Sequence, residues 1–141
     1  MSLRSWIHRL TAPQTVNSAL VRGMGEVKLL CLVNHGLKMG KGKIAAQVGH
    51  AAVKAALNAA EHHPNQMQAW LSSGQRKVVV KAQDAEEIEK LLAAAKRKGL
   101  PTCTVHDAGR TQIPAGSLTV GSIGPDSSEA IDGLTAHLKL L

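Results

Sequence analysis

The 141-residue chain has no phenylalanine and no tyrosine, and Trp6 and Trp70 are its only large aromatic residues. Single-strand nucleic-acid readers of the RRM and OB type stack bases on aromatic platforms, so the composition argues against that mode of recognition. Cysteine is also scarce. Cys31 and Cys103 both sit in apolar, strand-like runs and read as small core residues of a reduced protein rather than as a disulfide. No apolar run approaches the roughly 18 residues that a membrane span needs. There is no G-x-S-x-G nucleophile elbow, and neither cysteine has a nucleophile context. His62 and His63 are adjacent and therefore diverge on a helix, and no Cys/His/acid set has ligand spacing, so no metal site is expected. The most informative shortage is of acid. Residues 1–60 hold eight Lys/Arg against Glu26 alone, whereas residues 61–141 balance nine against nine, so the net charge of +7 arises in the first 60 residues. From Val27 to Ala60 there are five lysines and no carboxylate. A one-sided positive field points to a polyanionic partner, with phosphates as the default; a merely solvated basic face is the plain alternative.

Length, 44% hydrophobic content and 19% charged residues describe one globular domain. Residues 1–25 stand apart. They carry Arg4, Arg9 and Arg22 without lysine, several hydroxyl residues, and a short amphipathic run (Trp6, Ile7, Leu10) ending before Pro13. This profile predicts a flexible N-terminal segment and a possible organellar targeting sequence, with an ordinary tail as the alternative. It lacks the long apolar centre of a secretory signal. The expected location is cytoplasmic or mitochondrial, not secreted, and the folded domain is expected over residues 26–141.

From there strands and helices alternate. Val27–Val33 reads as a buried strand, and a glycine-rich stretch then leads into a helix over Lys43–Glu61 with Ile44, Val48, Ala51 and Ala55 on one face. A short helix is expected at Met67–Leu71 and a strand at Lys77–Ala82. Asp84 and Glu87 form a capping-box pattern before a helix with Ile88, Leu91, Leu92 and Ala95 inside. Thr102–His106 and Leu118–Ile123 read as strands, and Ser127–Ala136 as the last helix. This order predicts an α/β fold with helices on both faces of the sheet. The last connection between strands is too irregular for a helical crossover, so the fourth strand is expected to be antiparallel and the sheet mixed.

Three stretches carry chemistry. The first is Leu37-Lys-Met-Gly-Lys-Gly-Lys43, where glycines precede a helix start whose unpaired N–H groups suit an anion, with Lys41 and Lys43 beside them. It fails the P-loop pattern, and its match to G-x-G-x-x-A is followed, 19 residues after Gly42, by Glu61, which ends a helix, whereas a ribose-binding acid ends the next strand. The second is the helical row Lys43, Gln47, His50 and Lys54, which falls on one face. It reads as a phosphate-tracking surface or as an ordinary solvated one. The third is His106-Asp-Ala-Gly-Arg-Thr-Gln112, where Asp107 leaves a strand in a sharp turn followed by Arg110 and Thr111. A carboxylate, hydroxyls and a lysine can do acid–base work without a metal; Asp107 as a backbone-capping Asx residue is the alternative.

The stretches LKMGKGKIAAQVGHAAV (37–53), GQRKVVVKA (74–82), DAGRTQIPAGSLTVGSIGP (107–125) and the terminal HLKLL resemble, in order, the type 2 peptidyl-tRNA hydrolases of archaea and eukaryotes. The resemblance runs from about Val27 to Leu141. It implies a three-layer α/β/α sandwich around a four-stranded mixed β-sheet, often dimeric, and cofactor-free hydrolysis of the ester joining a peptide to tRNA. The family's proposed catalytic set falls on Lys43, Asp107, Thr111 and Thr119. Lys41, Gln47, His50 and Arg110 match further motif positions and are expected to contact the tRNA, with Lys54 added from the basic helix face. One departure is plain: where the family commonly has Arg-x-Asp at the end of the first strand, this chain has Asn34-His35-Gly36. The alternative function this raises is a weakened paralogue that binds tRNA or protein without turnover.

Overall fold

The computed structural model describes residues 16–109 and 113–141. The described elements are α1 (Ser18–Gly23), β1 (Val27–Asn34), a 3-10 turn (His35–Leu37), α2 (Lys41–His62), α3 (Pro64–Ser72), β2 (Lys77–Ala82), α4 (Ala85–Arg97), β3 (Thr102–His106), β4 (Leu118–Ser127) and α5 (Ser128–Thr135). The sheet has strand order β2-β1-β4-β3. β1 and β2 are parallel, and β4 runs antiparallel to both β1 and β3. The expected mixed sheet with an antiparallel fourth strand is therefore what forms.

β1 is buried over its whole length because it lies between two strands and beneath helices on both faces. Its odd residues, among them Leu29, Cys31 and Val33, join Ala51, Ala55 and Ala59 of α2 and Trp70 of α3 in one core. Its even residues Leu30 and Leu32 join Ile88 and Leu92 of α4 and Ile131 of α5 in the other. Alanines at four-residue spacing keep the inner stripe of α2 thin, so that helix can lie close to the sheet.

The chain itself covers one sheet edge and latches the other. The terminal segment lies along β2, with the Lys81 N–H donating to the Lys139 carbonyl at 2.8 Å and the Leu141 N–H to the Val79 carbonyl at 3.0 Å. On the other edge Lys54 Nζ donates to the Thr104 carbonyl of β3 at 2.8 Å. A lysine at an exposed strand edge also discourages pairing with another chain.

Several boundaries differ from the sequence reading: α3 runs over Pro64–Ser72 rather than Met67–Leu71, β1 takes in Asn34, and α5 is one residue shorter at each end. α2 starts at Lys41, with Gly40 as its N-cap in an extended conformation. β4 runs on through Gly124 and Pro125, which occupy an irregularity in its register with β1 between Lys28 and Leu30. Within the segment set aside at the N-terminus, Asn17 caps α1 and its N–H donates to Asn65 Oδ1 of α3 at 2.9 Å. Residues 1–15, with Trp6 and the arginines Arg4 and Arg9, lie outside the described residues.

Candidate active site

The topology brings β1, β2 and β3 to an end on one side of the sheet, where β4 begins. The space outside the carboxyl ends of parallel strands is where α/β folds hold ligands. Four stretches remote in sequence meet there: the end of β1, the first turns of α2, the turn after β3 and the start of β4.

Lys43, in the first turn of α2, forms an ion pair and hydrogen bond with Asp107 Oδ1 across 64 residues of sequence. The two members are buried unequally. The Asp107 side chain is 0% exposed and that of Lys43 25%. Asp107 is fixed from every side of its peptide. Its N–H donates to the Ser117 carbonyl at 2.9 Å, and its carbonyl accepts the Gly116 N–H at 3.0 Å. Its second carboxylate oxygen, Oδ2, accepts the Gly109 N–H at 2.9 Å. Gly109 has φ +81°, and a Cβ there would sit 2.9 Å from that of Ala115. Asp107 thus closes an Asx-type turn and also holds the lysine.

One turn along α2, the buried Gln47 donates through Nε2 to Thr119 Oγ1 at 2.9 Å. The Thr119 hydroxyl donates in turn to the Val105 carbonyl at 3.0 Å. Register explains why this side chain points there. Val105 faces Val120 and His106 faces Leu118, so Thr119 is the extra residue of a β-bulge. A bulge re-aims a side chain. Here it ties α2, which carries Lys43, to the end of β3, which Asp107 follows. Thr119 is 0% exposed, and its hydroxyl is engaged by both Gln47 and the Val105 carbonyl.

The remaining predicted residues divide into three groups. Lys41 and His50 are exposed on α2. Lys54 is exposed and is also the latch on β3. Arg110 and Thr111 lie outside the described residues. Lys28, counted with the basic stretch in sequence, is 6% exposed and pairs with Asp132 at 2.5 Å at the opposite end of the sheet. Asn34 was visible in the sequence only as a departure from a motif. It is buried, and its Nδ2 donates to the Leu118 carbonyl at 2.9 Å. The available signal was a polar residue closing a strand that is apolar from Leu29 to Val33.

Burial pushes the Cys31 thiol up to about 11, only partly offset by Lys77. Cys103 is likewise raised by burial, against Lys54 and a hydrogen bond to Ser122. Neither is activated as a thiolate nucleophile at neutral pH. Among the described residues no three His, Cys, Asp or Glu side chains gather as metal ligands, and no helix is long and apolar enough to cross a membrane.

Known proteins match the sequence that forms this site. The family model Peptidyl-tRNA hydrolase PTH2 matches residues 27–141. The chain is 48% identical to "Peptidyl-tRNA hydrolase 2, mitochondrial" of Bos taurus over 133 residues, which are 94% of this chain and 74% of that protein. The human protein of the same name is 48% identical over 92% of this chain and 73% of its own length. "Peptidyl-tRNA hydrolase" of Thermococcus onnurineus is 43% identical over 84% of this chain and its own full length. With the matched region spanning every strand and the Lys43–Asp107 pair, the chain belongs to the peptidyl-tRNA hydrolase PTH2 family.

Proposed function

We propose that the chain hydrolyses the ester of peptidyl-tRNA, releasing the peptide and free tRNA. The observation that carries this reading is the Lys43–Asp107 ion pair, with its acid buried and its lysine partly exposed at the carboxyl end of the strands. In the proposed reaction, water attacks the ester carbonyl carbon and the carbonyl oxygen becomes an oxyanion beside Lys43 Nζ. Asp107 holds the ammonium in place. The proton released by the water passes to the Lys43–Asp107 pair and then to the ribose oxygen as the C–O bond breaks. A preorganised charge in a desolvated position is worth more than the same charge in water. Thr111, four residues beyond Asp107, is proposed to add a hydroxyl hydrogen bond, and Thr119 to act with Gln47 in setting the pair.

The exposed Lys41 and His50, with Lys54 and Arg110, are proposed to contact tRNA phosphates. No step in this scheme calls on a cofactor. We further propose a homodimer, as the resemblance implies, and action in the mitochondrion or the cytoplasm. The mitochondrial names of the bovine and human relatives and the arginine-bearing first 25 residues support the former. The deciding assay is release of free tRNA from an N-acetylated aminoacyl-tRNA by the full chain, with Asp107→Ala as control. Release by the parent and not by the variant is expected. Binding of tRNA with no release would select the non-catalytic paralogue instead.

A further inference from the structure

Asn34 is a costly residue for its position. It is 5% exposed, its Oδ1 is buried with no hydrogen-bond partner among the described residues, and its neighbours along β1 are all apolar back to Leu29. A buried amide oxygen left unpaired lowers stability, and an apolar residue of similar size would avoid that loss. What Asn34 supplies is its other amide atom. The last backbone register pair between β1 and β4 is Val33 with Val120. One step further, where β4 bulges, the Asn34 side chain takes the place of backbone and donates from Nδ2 to the Leu118 carbonyl. That carbonyl belongs to the peptide leading into Thr119. The bulge is therefore held from both flanking strands, by Asn34 of β1 on one side and by the Val105 carbonyl of β3 on the other.

We propose that Asn34 is a positioning residue for the hydrolytic site. It acts through Thr119 to fix the tie between α2 and β3, and so the placement of Lys43 against Asp107. The proposal rests on the hydrolase reading. Gly36 belongs to the same device. A Cβ at position 36 would lie 2.8 Å from the Gln83 carbonyl oxygen and 3.3 Å from Asn34 Oδ1, so a larger residue there would press on the asparagine and on the turn after β2. The Asn34-His35-Gly36 stretch thus replaces the charged Arg-x-Asp pattern with a neutral clamp whose two ends fit each other.

The test is a double-mutant cycle in the full chain with Asn34→Leu, Asn34→Asp and Thr119→Val. Asn34→Leu removes both amide atoms at similar volume, and Asn34→Asp keeps the shape while replacing the donor by an acceptor. Small misplacements of reacting groups lower rates steeply. Each variant is therefore expected to reduce kcat on the order of tenfold with KM unchanged, and Asn34→Leu to melt no lower than the parent. In the Thr119→Val background Asn34→Leu is expected to add no further loss. An unchanged kcat, or the same tenfold loss in both backgrounds, would overturn the proposal. The side-chain amide proton resonances of Gln47 give a readout independent of turnover: they are expected to move in Asn34→Asp, and unmoved resonances would also overturn it. If the parent itself releases no tRNA, the hydrolase reading fails, while the Gln47 resonances still decide whether Asn34 sets Thr119.

Discussion

Two lysine–aspartate pairs sit at opposite ends of the same sheet, and they are built in opposite senses. In Lys43–Asp107 the acid side chain is fully buried and the lysine is 25% exposed; in Lys28–Asp132 the lysine is 7% exposed and the acid 53%. The chemistry of the two contacts is the same. What differs is which charge reaches solvent. A buried carboxylate with an emerging ammonium presents a held positive charge to an anionic substrate or a developing oxyanion. A buried ammonium with an emerging carboxylate presents the reverse, and braces the start of β1 against α5. Sequence counting places Lys28 and Lys43 in one acid-free stretch, yet only one of them belongs to the basic surface.

Breaking either pair should therefore give different losses. Lys43→Ala is expected to slow turnover by about 10²–10³-fold, the usual effect of removing an oxyanion donor, and to lower the melting temperature as well, because it takes the cation away from the fully buried Asp107 carboxylate; single-turnover kinetics and a thermal melt check both. Asp132→Ala should leave turnover intact and lower stability by about 2 kcal/mol, since hydrogen bonds to charged groups contribute roughly 1.5–3 kcal/mol. Denaturant titration measures it. Asp126, opposite Lys28 in register, limits the loss.

A smaller effect probes the basic surface. Lys41→Ala should flatten the dependence of log tRNA affinity on log salt by about 0.7–0.9, read from binding at a series of salt concentrations. Lys28→Met should leave that slope where it is.

The smallest effect belongs to His63, at the end of α2. Burial lowers its pKa below 6.5, against the pull of Asp126 and with help from His62. Below 6.5 the unfolded chain holds more protons than the folded one, so this contribution to stability is lost as pH falls toward the lowered value. His63→Gln should flatten stability against pH in that window, measured by denaturant melts from pH 7 downward.

Much of the frame was legible in the sequence because it rests on local signals. β2 and β3 begin and end where alternation and punctuation place them, and Asp84 caps α4 by accepting the Glu87 N–H as its spacing implies. Even there the reciprocal bond differs, since Glu87 accepts from the Gln83 N–H rather than from that of Asp84. β4 extends past its apolar run because Gly124 and Pro125, residue types that punctuate most strands, here fill a register irregularity. The site was less legible. Lys43 meets Asp107, and Gln47 meets Thr119, only through topology. Spacing offers Gln47 as a surface contact, because a helical row cannot report that a bulge on another strand reaches up to bind it. The family resemblance alone implies catalytic roles for Lys43 and Asp107, and their unequal burial is visible only in the fold.

The most direct measurement is single-turnover cleavage of N-acetylated aminoacyl-tRNA by Asp107→Asn and Asp132→Asn side by side. Both substitutions remove one carboxylate charge beside a lysine and keep the side-chain shape. A base or positioning carboxylate in the reacting centre predicts a loss of roughly 10²–10⁴-fold for Asp107→Asn and a rate within about twofold of the parent for Asp132→Asn. Equal rates in the two variants would contradict the assignment of the reacting centre to the Lys43–Asp107 end of the sheet.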